Sequence, residues 1–137
     1  MKQISRPILV ICLLIPFLSC AQNKQSNTGA SLAEYHKISA EEAKKMLDTN
    51  HNIILLDVRS EEEYKAMHIP GATLLPLPEI GNKAVNVLPD KNAVILVYCR
   101  SGARSRNASN QLVSMGYSQI YDIEGGISNW PYKTESN

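Results

Sequence analysis

Cys12, Cys20 and Cys99 are the cysteines of the chain, and Cys99 sits where a thiol could do chemistry. It follows the apolar run Ala93–Tyr98 and opens the loop Cys99-Arg100-Ser101-Gly102-Ala103-Arg104. A strand that ends at such a cysteine hands it to a loop. A helix starting near Arg104 leaves unpaired N–H groups aimed back into that loop, with the positive end of its dipole. Gly102 has no Cβ, so the loop can curl tightly and turn its amides inward. Arg100 and Arg104 add full positive charges. These surroundings favour the thiolate, which is the nucleophilic form of cysteine, and they hold an anion beside it. A nucleophilic sulfur in an anion cradle is suited to attack on a sulfur, phosphorus or arsenic oxyanion. The competing reading is an inert core thiol, since free cysteine is commonly buried.

The remaining polar residues support the loop. Asp57 ends a neighbouring apolar run, where an ion pair with Arg59 or a loop arginine outweighs a proton-transfer role. Arg59 and Glu63 stand four apart, an ordinary pairing at a helix start. His68 is expected to bond the backbone and fix the Pro70-Gly71 turn. Gly125-Gly126 turn the chain, Trp130 is a core lid and Arg106 faces solvent. No metal site is expected, because His36, His51 and His68 show no ligand spacing with Cys99.

The elements that must position these residues are readable. Ser39-Ala40-Glu41-Glu42 and Ser60-Glu61-Glu62-Glu63 are capping boxes, each opening a helix. The first helix carries Ala43, Met46 and Leu47 on one face and ends near Asn50; the second stops before Ile69-Pro70. Residues 52–58, 72–75, 93–98 and 118–123 read as strands. The run over 93–98 is the strongest of them, apolar throughout as in a buried parallel strand. Pro76, Pro78 and Pro89 break the intervening stretch into loop with a helical turn around Glu79–Lys83. A helix runs from about Arg104 to Met115, with Ala108, Leu112 and Met115 inward, and ends at Gly116. Alternating strands and helices predict an α/β fold, a parallel sheet with helices on both faces, whose ligands bind beyond the carboxyl ends of the strands.

The chain has 137 residues, which is one domain of ordinary size. Its 14 Lys+Arg against 13 Asp+Glu give no basic excess and argue against a nucleic-acid partner. Residues 1–19 read as a signal peptide, with a short basic start at Lys2 and Arg6 and an apolar stretch too short to span a bilayer comfortably. That run ends in Phe17-Leu18-Ser19-Cys20-Ala21, which resembles the bacterial lipobox, with Phe17 where the pattern prefers Leu. The resemblance implies lipidation of Cys20. Two acyl chains on the glycerol and one on the amine would anchor the chain in the membrane, where a single chain binds only marginally. Ala21 rather than Asp implies the outer membrane, and the expected location is the periplasmic side of a bacterial envelope. Cleavage near Ala21 to release a soluble protein is the alternative. Residues 20–31 then form a lipidated cysteine and flexible tether, 32–133 the domain and 134–137 a disordered tail. Cys99 is left as the lone free thiol, which in an oxidising compartment calls for an explanation.

The loop resembles the active-site loop of the rhodanese (thiosulfate sulfurtransferase) family, Cys-x-x-Gly-x-Arg. Other landmarks agree in order and spacing: Asp57-Val58-Arg59, Glu63-Tyr64, His68-Ile69-Pro70-Gly71-Ala72, Gly116-Tyr117, and Glu124-Gly125-Gly126 with Trp130. The match spans roughly residues 37–132. Met67 departs from the family's usual Gly before His68. The resemblance implies a three-layer fold around a mostly parallel five-stranded sheet, and a sulfurtransferase that needs no cofactor. Cys99 would take the outer sulfur of a donor such as thiosulfate as a persulfide, held by the N–H groups of Arg100, Ser101, Gly102, Ala103 and Arg104. It would pass that sulfur to cyanide or a thiol. Arg100 would recognise the donor oxyanion; for Arg104, recognition and bracing of the loop both fit. Six residues from Cys99 to Arg104, rather than seven, point away from the family's phosphatase branch. A non-catalytic rhodanese module for partner binding or sulfur sensing is the alternative from another class.

Overall fold

The computed structural model describes residues 34–137, so the signal-peptide, lipidation and tether expectations lie outside the described residues. The elements in chain order are β1 (His36–Ile38), α1 (Ala40–Thr49), β2 (Ile54–Asp57), α2 (Glu61–Ala66) and β3 (Thr73–Leu74). A 3-10 turn (Leu77–Glu79) leads into α3 (Ile80–Val87), followed by β4 (Val94–Tyr98), α4 (Ala103–Ser114) and β5 (Gln119–Ile123). A last 3-10 turn covers Gly126–Asn129. The strands form one sheet in the order β1-β5-β4-β2-β3, with every neighbouring pair parallel.

Both expected capping boxes form. Ser39 and Ser60 each accept from the backbone of the glutamate three residues on, and each glutamate reaches back to the cap N–H. β4 lies at the centre, paired to β2 through Ile54↔Ile95 to Asp57↔Tyr98 and to β5 through Val94↔Gln119 to Val97↔Asp122. Its alternation sorts its side chains between two core layers. Ile95, Val97 and Cys99 join the layer that contains Ala84 of α3, Leu88 at its end, and Ala108 and Leu112 of α4. Leu96 and Tyr98 join the layer with Ala43 of α1, Ile69 and Trp130. The period of two thus decides that the Cys99 side chain faces α4.

Three elements differ from expectation. β1, a three-residue edge strand, was not expected as a strand; it pairs with β5 from His36↔Tyr121 to Ile38↔Ile123. α3 is a full eight-residue helix rather than a turn, because Ile80, Ala84 and Leu88 recur every four residues and all three are buried. Pro76 and Pro78 flank its entry, where missing N–H groups cost little. The chain end at 134–137, expected to be disordered, is tied down. Glu135 and His68 exchange backbone hydrogen bonds of 2.8 and 2.9 Å, and the Asn137 N–H donates to the Lys65 carbonyl. No described helix is long and apolar enough to cross a membrane.

Candidate active site

β4 ends at Tyr98, and the chain curls through Arg100, Ser101 and Gly102 into α4. Gly102 makes the curl with φ of +109°, in the left-handed region that favours glycine. It also stands at the α4 N-cap, and no side chain caps that end. The first amides of the helix are therefore left to serve the loop. The Gly102 N–H donates to Cys99 Sγ at 3.1 Å, and Ser105 Oγ lies 3.6 Å from the same sulfur.

Cys99 is 1% exposed. Burial pushes its thiol up, but the Ser105 hydroxyl and the amides of Ser105, Gly102 and Ser101 outweigh burial, and the net direction is down. An enclosed sulfur can hold a negative charge here because the donors face it.

A second clamp grips the loop from below. The Ile127 N–H donates to the Cys99 carbonyl at 2.9 Å, and the Ser128 N–H donates to the Arg100 carbonyl at 3.0 Å. Gly126 precedes them at φ +57°. A Cβ there would stand inside contact distance of the Cys99 carbonyl oxygen and 2.8 Å from that of Arg100. The Gly-Gly pair turns the chain as read from sequence, and at Gly126 the turn presses on the backbone of the Cys99 loop.

The two loop arginines differ. Arg104 forms a two-pronged ion pair with Glu63 of α2, Nη1 to Oε2 at 2.6 Å and Nη2 to Oε1 at 2.8 Å. The Arg104 guanidinium holds the Glu63 carboxyl down to about 2, against the ordinary 4.5. Arg100 is exposed and lines a shallow cavity of about 370 Å³ beside the loop, with Arg59, Glu63, Met67, Ile127 and Ser128.

Glu63 therefore does not pair with Arg59, as its spacing suggested. Arg59 is turned inward, where its Nη2 donates to Asp57 Oδ2 at 2.6 Å and to the Met67 carbonyl at 2.7 Å. The Asp57–Arg59 pair is buried, at 0% and 4% exposure, and ties the end of β2 to the end of α2. Asp57 faces its arginine rather than the loop sulfur. His68 bonds the backbone as expected, but at Tyr64 rather than at the Pro70-Gly71 turn. Its Nδ1 meets the Tyr64 carbonyl at 2.8 Å and its Nε2 lies 3.3 Å from the Glu135 carboxylate. Tyr64, stacked on His68, reaches the turn instead, its hydroxyl donating to the Ala72 carbonyl. Ser101 is exposed on the loop, and Ala103 and Arg106 are exposed on α4. Sequence reading missed the roles of Glu63 and Ser105. Ser105 directly follows the loop, so its adjacency was a usable signal; Glu63 lies 41 residues from Arg104 and gave none.

Among the described residues, no group of three His, Cys, Asp or Glu side chains converges as metal ligands. A larger cavity, about 520 Å³, lies away from the loop between α1, Pro70-Gly71, Trp130 and Tyr132. It contains none of the loop residues.

Residues 39–133 match the family model of the rhodanese-like domain. This chain belongs to the rhodanese-like domain family. Among its sulfurtransferase relatives, the thiosulfate sulfurtransferase GlpE of Coxiella burnetii is 32% identical over 99 residues, 70% of this chain and 87% of GlpE. YrkF of Bacillus subtilis, named as a candidate sulfur carrier protein, is 32% identical over 123 residues, 90% of this chain. The chain spans 64% of YrkF, less than two thirds of that relative's length. The solution structure of the rhodanese-like domain of Alr3790 from Anabaena superposes with a TM-score of 0.69 at 27% identity, covering 76% of this chain and 81% of that one. The rhodanese-like fold places the Cys99 loop at the carboxyl end of the central strand, where parallel sheets bind ligands.

Proposed function

We propose that the protein is a sulfurtransferase that carries sulfane sulfur as a persulfide on Cys99, with thiosulfate as a donor and a thiol or cyanide as acceptor. The Cys99 thiolate attacks the outer sulfur of thiosulfate. A bond forms between Sγ and that sulfur, the bond to the sulfonate breaks, and sulfite leaves with the electron pair. An acceptor thiolate or cyanide then attacks the outer sulfur, and Cys99 departs as the thiolate. No oxidant, metal or organic cofactor enters either step. The single observation that carries this reading is the Gly102 N–H donating to the Cys99 sulfur at the start of α4, with the Ser105 hydroxyl beside it. Arg100, exposed beside the loop, recognises the donor's sulfonate. Arg104, occupied by Glu63, braces the loop.

A non-catalytic module for partner binding or sulfur sensing is the second reading, favoured by the near-complete burial of Cys99. Turnover separates the two. Purified protein mixed with thiosulfate and cyanide should form thiocyanate and sulfite in equal amounts by a ping-pong pattern. Absence of thiocyanate overturns the transferase reading.

We place the chain on the periplasmic face of a bacterial membrane, the outer membrane by preference, held by lipid on Cys20; the apolar run and its lipobox-like end support this. Cys20→Ala should move the protein from the membrane pellet to the soluble fraction, and continued pelleting overturns the anchor.

A further inference from the structure

Met67 is a large apolar side chain left in the open beside the Cys99 loop. It is 44% exposed, and the other large apolar side chains so exposed among the described residues, Val85 and Val87, belong to α3. Its backbone is fixed on both sides. The Met67 N–H donates to the Glu63 carbonyl at 3.1 Å, and the Met67 carbonyl accepts from Arg59 Nη2 at 2.7 Å. The side chain is thus held in a set place without being packed into either core layer. The rhodanese pattern usually has a glycine here, so the side chain is a feature of this chain.

Met67 lines the cavity of about 370 Å³ beside the loop, with Ala66 and Ile127 as its other apolar walls. Ile127 donates to the Cys99 carbonyl and Ser128 to that of Arg100, so this wall and the loop are bonded together. Three charged side chains complete the lining. Arg59 is spent on Asp57 and the Met67 carbonyl, and Glu63 on Arg104. Arg100 forms no ion pair among the described residues. An incoming molecule therefore meets an apolar wall and one uncommitted cation, in a space within the range of small-molecule sites, about 300 to 1,000 Å³. In the transfer described above, sulfite leaves in the first step and frees Arg100 before the acceptor arrives. Cyanide is too small to use such a wall. An organic thiol is not.

We propose that Met67 determines specificity in the acceptor step, and that the acceptor is an organic thiol with an apolar chain and a carboxylate. The chain lies against Met67 and Ile127, and the carboxylate pairs with Arg100. The inference rests on the sulfur-transfer reading. The thiol gives its proton to water, and its thiolate attacks the outer sulfur of the Cys99 persulfide. A new S–S bond forms, the bond to Cys99 Sγ breaks, and Cys99 leaves with the electron pair. The product is the acceptor's own persulfide. The test loads the full chain with thiosulfate, removes excess donor and follows loss of the added sulfur from the Cys99 peptide by mass. The acceptors are ω-mercaptohexanoate, ω-mercaptohexanol and cyanide. Wild type should discharge faster to the carboxylate than to the alcohol. Met67→Ala should lower the rate with mercaptohexanoate, relative to that with cyanide, roughly three- to tenfold, the loss of apolar contact. Met67→Leu, still large and apolar, should keep the wild-type ratio. Arg100→Ala should erase the preference for carboxylate over alcohol. An unmoved ratio in Met67→Ala, a ratio as low in Met67→Leu as in Met67→Ala, or a carboxylate preference that is absent from wild type or survives Arg100→Ala each overturns the proposal. Any of these results in a chain that loads sulfur sinks this inference alone. A chain that takes no sulfur from thiosulfate sinks the transferase reading, and this inference with it.

Discussion

Arg100 and Arg104 stand four apart in sequence and end in different chemical situations. Arg104 spends both outer nitrogens on Glu63, while Arg100 is exposed beside the loop. In the proposed sulfur transfer, donor recognition falls to Arg100. Arg100→Ala should raise KM for thiosulfate roughly tenfold, the worth of a charge-assisted hydrogen bond, with little change in kcat. Steady-state kinetics with varied thiosulfate check this, and an unchanged KM removes Arg100 from recognition. Cys99 in its loop between β4 and α4 was legible from sequence because the signal is local: an apolar run, a cysteine, a glycine and a helix start within a dozen positions. Its enclosure was not legible, since exposure depends on the 126–129 turn packing beneath the loop from elsewhere in the chain.

At the scale of elements, the loop is held between α4 and the C-terminal 3-10 turn. Gly126 is the contact point, left-handed and pressed against the carbonyls of Cys99 and Arg100. Gly126→Ala should lose about 2 kcal/mol or more of stability, from backbone strain and the displaced loop together. Sulfur transfer should fall with it. Denaturant unfolding measures the first effect, and an unchanged midpoint would show that the turn does not grip the loop. The long elements were readable because caps and periodicity are written locally; both capping boxes and the inward residues Ala108 and Leu112 are where the pattern puts them. β1 was not readable. His36-Lys37-Ile38 is short and mostly exposed, and it becomes a strand only because β5 offers it an edge. α3 was shortened in reading by its flanking prolines, which its four-residue apolar repeat overrides.

Across the whole molecule, ion pairs join separate elements. Asp57–Arg59, two residues apart and expected from the sequence, ties β2 to α2, and Glu63–Arg104, 41 residues apart, ties α2 to α4. No periodicity announces the second pair, which is why Glu63 was assigned to Arg59. The Glu63 carboxyl ionises at about 2 in the folded protein against an ordinary 4.5. A lowered folded value stabilises the fold fully above the unfolded value, and that stability is lost as pH falls from 4.5 towards 2. Glu63→Gln should therefore be less stable than wild type at neutral pH, and the gap should close through that acidic window. Urea unfolding at several pH values measures it, and a gap constant with pH would contradict the pair's contribution. The most direct test of sulfur carriage is the intact mass of the Cys99 peptide after thiosulfate treatment and removal of excess donor. The expected result is a gain of one sulfur atom, reversed by cyanide and absent from Cys99→Ser. A wild-type peptide of unchanged mass, or a gain that persists in Cys99→Ser, would contradict it.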